Sequence, residues 1–354
     1  MSIEKIDWNL LKSISETPGA PGFEKQVREL IINELKSYVD EYYTDNMGNL
    51  ITIKRSKSEN AKKFMFAAHM DEIGFMVKHI DDNGYIRFQT LGGFDPKTLT
   101  SMRVLVHGKK DLLGVMGCKP IHSMTPAERQ KVITNEEYFI DCGLSKEEVS
   151  KYVKVGDSIT RHQNLEMVGN LINGKSLDDR VCVYALVEVM KSLNAETIDC
   201  DVYGVFTVQE EVGLRGAQVA GHGVSPDFGI ALDVTVANDI PGLSPENYVT
   251  QMGKGVGIKH FDGGTICDRR MVELLENVAN ENNISNQAEV LPFGGTDTAN
   301  IQRMPENGAI AGALSIPMRY LHQTVEMAEP GDVWAMVELC GKVVQEAKKL
   351  ITNR

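Results

Sequence analysis

Apolar residues recur along this chain with two different periods, and the period changes more than once. Within residues 22–39, Phe23, Val27, Leu30, Ile31, Leu35 and Tyr38 fall three or four apart with charged residues between them. That spacing puts them on one face and predicts an amphipathic helix after the Thr17-Pro18-Gly19 turn. Residues 64–68 are a short unbroken apolar run, the pattern of a strand buried on both faces. After Gly74 the pattern shortens. Residues 75–80 and 85–89 flank Asp82-Asn83-Gly84, and residues 104–106 and 112–116 flank another polar turn, as in antiparallel hairpins. Short strands are expected up to about residue 163, with only residues 126–131 and 146–152 reading as helical. From Asp179 the helical period returns through Cys182, Leu186, Val189 and Leu193. Strand-like runs at 203–208, 229–234 and 309–316 then alternate with helical patterns at 271–282 and 333–350, which predicts an α/β sheet. The expected organisation is one discontinuous α/β domain, residues 1–74 and 164–354, interrupted by a β-rich insert at 75–163. No repeat or low-complexity segment is visible.

Composition narrows the function classes. A chain of 354 residues with 42% hydrophobic and 24% charged residues has the balance of a globular protein large enough for two domains. Residues 1–8 are polar and charged, and no apolar run approaches the roughly 18 residues of a membrane span; a cytoplasmic protein without membrane contact is expected. Cys118, Cys142, Cys182, Cys200, Cys267 and Cys340 include no C-x-x-C pair, so free thiols are expected rather than disulfides or a thiolate zinc site. With 37 basic against 49 acidic residues, a net charge of -12 and no basic block, nucleic acid is not an expected partner.

Candidate chemistry gathers where the predicted strands end, the edge at which open α/β sheets bind ligands. Ala68-His69-Met70-Asp71-Glu72 follows the first buried strand, and Asp71 stands close enough to hold the His69 ring. Asp178 and Asp179 precede the Cys182 helix, Glu210 and Glu211 follow the 203–208 strand, Asp233 lies at the end of the next, and His322 follows 309–316 through Arg319-Tyr320-Leu321. Each has an ordinary structural reading: a hydrogen-bonded histidine, helix caps, exposed glutamates. Together, His69, Asp178, Glu210, Glu211, Asp233 and His322 recur after successive strands, and that recurrence has no common structural explanation. Imidazole and carboxylate donors without thiolate point to catalytic zinc, cobalt or manganese. Adjacent glutamates suit a division of labour, one as ligand and one as general base.

In these motifs the sequence resembles the glutamyl and tetrahedral (TET) aminopeptidases, a family of cocatalytic dimetal exopeptidases. The landmarks are Ala68-His69-Met70-Asp71-Glu72-Ile73-Gly74, Gly174-Lys175-Ser176-Leu177-Asp178-Asp179-Arg180, Gln209-Glu210-Glu211-Val212-Gly213, Ala231-Leu232-Asp233-Val234-Thr235, Gly294-Gly295-Thr296-Asp297 and Arg319-Tyr320-Leu321-His322. The resemblance implies a mixed-sheet α/β/α, zinc-exopeptidase-like catalytic domain with an inserted barrel-like domain that builds dimers and tetrahedral dodecamers. It implies peptide substrates and two divalent ions, zinc or cobalt, with manganese as a further option. His69 and Asp233 would hold one ion, Glu211 and His322 the other, and Asp178 both. Glu210 would be the general base and Asp71 would orient His69. Gln323-Thr324 replaces the Ser-Pro common after the last histidine, and Ser176 replaces an alanine; neither position is expected to ligate.

The family name leans toward glutamate or aspartate at the substrate's N-terminus. Asp297 and Glu72 are candidates to bind the substrate ammonium, beside ordinary capping or surface roles, and His122 is expected to be structural. A related dimetal deacylase or carboxypeptidase is the nearest alternative. A glucan hydrolase is a remoter one, since its two carboxyl groups would face each other about 5–9.5 Å apart across a sugar and leave the histidines without a task.

Overall fold

The structure, a computed structural model, describes residues 3–352. Its main sheet is mixed. Lys63–His69, Asp201–Thr207, Phe228–Val236 and Ile310–Arg319 form its centre and run parallel, while Leu50–Lys54 pairs antiparallel at one side and Glu326–Ala328 at the other. Successive side chains of a strand face opposite ways, and the sequence uses both faces. Phe64, Phe66, Ala68, Ile230, Leu232, Leu314 and Ile316 enter one core; Met65, Ala67, Ala231, Ala311 and Ala313 enter the other.

The larger core is covered by helices Trp8–Glu16, Lys25–Leu35, Leu177–Ser192, Arg269–Glu281 and Pro330–Val343. Small residues on the opposite face let the shorter helices Arg215–Val224 and Thr298–Arg303 close in through Ala220, Val224 and Ile301. The result is the α/β sheet expected from the alternating pattern, in the α/β/α layering that the family resemblance implied. Between Gly74 and Arg161 six strands, Gly74–Ile80, Ile86–Leu91, Arg103–His107, Leu112–Gly117, Phe139–Asp141 and Ser158–Arg161, close into a barrel. Phe75, Val77, Val104, Val106, Ile140 and Ile159 fill it.

Two expected helices are corrected. Residues 126–131 hold only the 3-10 turn Glu128–Gln130, whose side chains are spent on local ties such as Lys119 to Glu128. The 333–350 pattern begins earlier, at Pro330 behind the Glu329 cap, and breaks after Val343, where i-to-i+3 turns lead to a separate short helix, Lys349–Thr352. Residues 146–152 form the expected helix, closed by a capping box between Ser145 and Glu148. No helix among the described residues is long and apolar enough to cross a membrane.

Candidate metal centre

Parallel pairing brings four strand ends to one edge of the sheet. Thr207 is in register with His69, and Asp233 with Ser315, so the loops leaving these strands meet there. His69 is the last residue of its strand. Asp233 sits within the Phe228–Val236 strand, which runs beyond the expected 229–234. Glu210 and Glu211 occupy the turn after Thr207. His322 is held in the left-handed region (φ 59°) just past Arg319. Asp178 opens the Leu177–Ser192 helix through a cis peptide bond to Asp179.

Asp178 is the centre of the cluster. One of its oxygens lies 3.1 Å from His69 Nε2 and the other 3.2 Å from His322 Nε2. Glu211 Oε2 is 3.6 Å from His322 Nε2, and Glu210 Oε2 is 3.9 Å from His69 Nε2. Each ring's Nδ1 faces a backbone carbonyl: Asp71 O at 3.0 Å for His69 and Gly93 O at 3.1 Å for His322. A carbonyl only accepts, so Nδ1 carries a proton and each ring turns Nε2 toward Asp178, where it offers a lone pair once that nitrogen is deprotonated. Two acceptors facing each other at this distance need a proton or a cation between them. Donors bonded to one ion at about 2.0–2.2 Å in tetrahedral geometry lie about 3.3 Å apart, close to the separations found here.

The donors fall into two groups that share Asp178: His69, Asp178, Asp179 and Asp233, and Asp178, Glu211 and His322, each with its ligand atoms within 4.8 Å of one another. Buried Glu211 Oε1 and Asp179 Oδ1 have no hydrogen-bond partner. Burial, reinforced by the surrounding carboxylates, pushes Glu211 up to about 8 and Asp233 to about 7, and Glu210 well above the ordinary carboxyl range. Burial acts on Asp178 in the same sense, but His322 and His69 outweigh it and hold this carboxyl low. His322, whose burial alone would lower it, is raised to about 10 by Asp178 and Glu211. The protein by itself cannot keep these groups ionised together, and divalent cations would supply the missing positive charge.

The other expected roles are distributed differently. The Asp71 carboxylate lies 3.6 Å from His69 Nδ1; its carbonyl makes the close contact, while its two oxygens accept the amides of Glu210 and Glu211 at 3.0 and 3.1 Å. Asp179 does not cap the helix: Oδ2 accepts the His69 amide at 3.1 Å. Glu72 is not placed to meet a substrate ammonium, being fully buried among Lys175 at 2.6 Å, Arg180 at 3.8 Å and Arg161 at 4.0 Å, with Ser176 also donating to it. Asp297 accepts from Thr207 Oγ1 at 2.6 Å and makes no capping bond. His122 is exposed in the Ile121–Ser123 turn, far along the chain from the cluster. Gln323 and Thr324 direct their contacts to Arg161 and to the Thr98 carbonyl.

Sequence reasoning missed three residues around the cluster. Glu326 accepts the Asp178 amide at 3.0 Å and Arg161 at 2.9 Å. Buried Lys259 lines the same cavity and pairs with Glu289 at 3.1 Å. Its only sequence signal was a charge at an inward-facing strand position. The cavity, about 650 Å³, has the cluster on one wall and Ile240, Leu243, Leu291, Phe293 and Met318 on others.

An α/β sheet with two imidazoles, one of them buried, and several carboxylates converging at the carboxyl ends of its parallel strands defines a hydrolase built around divalent cations. Residues 48–339 match the M42 glutamyl aminopeptidase family, and the chain belongs to it. It is a hydrolase, an aminopeptidase. A putative aminopeptidase of Acetivibrio thermocellus is 39% identical over 337 residues, 95% of this chain and 98% of that one. The aminopeptidase APDkam598 from Desulfurococcus kamchatkensis has the same fold with a TM-score of 0.92 at 37% identity, over 97% of this chain and 96% of its own. The TET1 peptidase of Pyrococcus horikoshii, which can assemble into a tetrahedron or a large octahedral shell, matches with a TM-score of 0.85 at 34% identity, over 97% of this chain and 99% of that one.

Proposed function

We propose that the chain removes single residues from the free N-terminus of peptides at a two-metal centre. His69 and Asp233 hold one ion, Glu211 and His322 the other, and Asp178 both. One observation carries this reading: the two oxygens of Asp178 face two imidazole Nε2 atoms at 3.1 and 3.2 Å, while each Nδ1 is committed to a carbonyl. When bound, two zinc or cobalt ions, or manganese, would supply Lewis-acid polarisation of the scissile carbonyl and a nucleophile at neutral pH.

Glu210 belongs to neither donor group. Its side chain is 10% exposed and lines the cavity 3.9 Å from His69 Nε2, which places a carboxylate beside the centre to take a proton during attack and return it to the leaving amine. Asp71 fixes the backbone of both glutamates and, through its carbonyl, the His69 ring.

Lys259, the lysine of the cavity lining, is ion-paired with Glu289 at 3.1 Å and stands 3.8 Å from Asp262, so its charge is already countered although its Nζ makes no hydrogen bond. The apolar walls favour an apolar N-terminal residue over glutamate or aspartate. Leu113 and Val115 project from the barrel strand Leu112–Gly117 at 50% and 43% exposure, which supports dimerisation through the barrel; similarity to the Pyrococcus horikoshii peptidase that can assemble into a tetrahedron supports further assembly into a tetrahedral dodecamer. All six cysteines are free, in keeping with the reducing cytoplasm.

Glu210→Gln tests the central assignment. It is expected to keep the metal content and lose about 10²- to 10⁴-fold in turnover; parallel loss of metal would make Glu210 a ligand instead.

A further inference from the structure

The two donor groups differ in where their support comes from. His69, Asp179 and Asp233 are fixed by the main sheet and the helix against it. The Asp178–Glu211–His322 group is held across the junction with the barrel. Gly93, just beyond the barrel strand Ile86–Leu91, gives its carbonyl to His322 Nδ1 at 3.1 Å. The Thr98 carbonyl accepts from Thr324 Oγ1 at 3.0 Å. Arg161, the last residue of barrel strand Ser158–Arg161, donates through Nη1 to the Gln323 carbonyl and to Glu326 Oε1 at 2.9 Å. The second oxygen of Glu326 takes the Asp178 amide at 3.0 Å. One guanidinium therefore touches the residue after His322 and, through a single carboxylate, the backbone of Asp178.

Arg161 and Glu326 have no exposed side-chain surface, and Arg161 Nε and Nη2 find no hydrogen-bond partner. A buried ion pair with donors left over is a poor stabiliser, because desolvation offsets most of the attraction. Its geometry suits orientation: groups behind metal donors fix where the donor atoms point.

We propose that Arg161 is a positioning residue for the Asp178–Glu211–His322 position, so that occupancy of this second position depends on the seating of the barrel against the sheet. This rests on the reading of the cluster as a two-ion centre. Through Gln323, Arg161 sets the left-handed turn at His322. Through Glu326, it sets the peptide that aims Asp178. The His69 group shares Asp178, and Glu72, close by in the chain, is 4.0 Å from Arg161, but the hydrogen bonds of His69 with Asp179 and Asp71 and of Asp233 with Val234 lie outside the barrel.

The test is stepwise zinc binding to metal-stripped full-length protein by calorimetry, with cobalt absorption read at the first and second equivalents. The unmodified chain is expected to bind two ions per chain; uptake of fewer would remove the two-ion reading and this proposal with it. Arg161→Met is expected to weaken the second step by about 10- to 100-fold and to change the cobalt spectrum only at the second equivalent. Arg161→Lys should recover part of the loss. Thr324→Val, altering a partly exposed residue that need not disturb folding, should weaken the same step by a smaller factor. With two ions bound by the unmodified chain, unchanged second-step affinity in the Arg161 variants, or equal weakening of both steps, overturns the proposal; should Arg161→Met not fold, the lysine and Thr324 variants decide it by the same criterion.

Discussion

The carboxylate of Asp71 accepts two consecutive amides while its own carbonyl holds the His69 ring. Truncation of the fully buried Asp71 would leave both part-buried amides short of a partner, and each such loss costs about 1–3 kcal/mol. Asp71→Ala is thus expected to lose about 2–5 kcal/mol in denaturant unfolding and to bind metal more weakly, with Asp71→Asn in between; unchanged stability and affinity would contradict the role. Glu72 carries a different load. It is the counter-charge to Lys175, Arg180 and Arg161, and although burial alone would raise its pKa, these cations bring it below the ordinary 4.5. Glu72→Gln leaves the buried positive charges uncompensated, which costs about 3–5 kcal/mol at pH 7. A lowered carboxyl pKa stabilises above the unfolded value and loses that contribution as pH falls through the folded one. The deficit of Glu72→Gln against the unmodified chain should therefore narrow as unfolding is followed into acid, and a constant deficit would speak against the charge network. His69, Asp178, Glu210, Glu211, Asp233 and His322 were readable because ionisable groups at the ends of buried strands have no packing task. Glu326 and Arg161 were not, because they acquire meaning only from partners about 150 residues or more away in sequence.

At the scale of elements, parallel pairing gathers the cluster: each strand delivers one piece of it to the same edge, and the period-2 alternation that fills both cores fixes which residue arrives. The helix Leu177–Ser192 was legible only as a stripe through Cys182, Leu186, Val189 and Leu193, yet every residue from 177 to 187 is buried, because it is sandwiched between the sheet and other helices. Residues 126–131, Pro-Ala-Glu-Arg-Gln-Lys, carry no apolar stripe, so nothing in the sequence separated a helix from the 3-10 turn that local polar ties select. Gly74, where the chain leaves the sheet for the barrel, sits so close that an added Cβ would meet the Ile159 carbonyl at 2.8 Å and Ala20 at 2.9 Å. Gly74→Val must displace backbone, and a loss of about 1–3 kcal/mol in unfolding is expected. An unchanged midpoint would mean that the barrel and the sheet are not tightly seated at this point.

Over the whole molecule, alternating patterns announced both the layered sheet and the strand-rich stretch, while closure of six strands into a barrel depends on pairings that hairpin signals do not specify. The molecule joins a rigid sheet that supplies donors from every central strand to a barrel that contacts the His322 side of the same centre. The central claim is hydrolysis at a free N-terminus by a metal-loaded cluster. It is tested most directly by assaying metal-stripped protein, re-supplied with zinc, cobalt or manganese, on aminoacyl p-nitroanilides carrying free or acetylated amines. Metal-restored cleavage of the free-amine substrates alone, fastest for apolar residues, is the predicted result. Cleavage of acetylated substrates, or no cleavage of any substrate while two ions remain bound, would contradict the account and point to a deacylase or carboxypeptidase using the same centre.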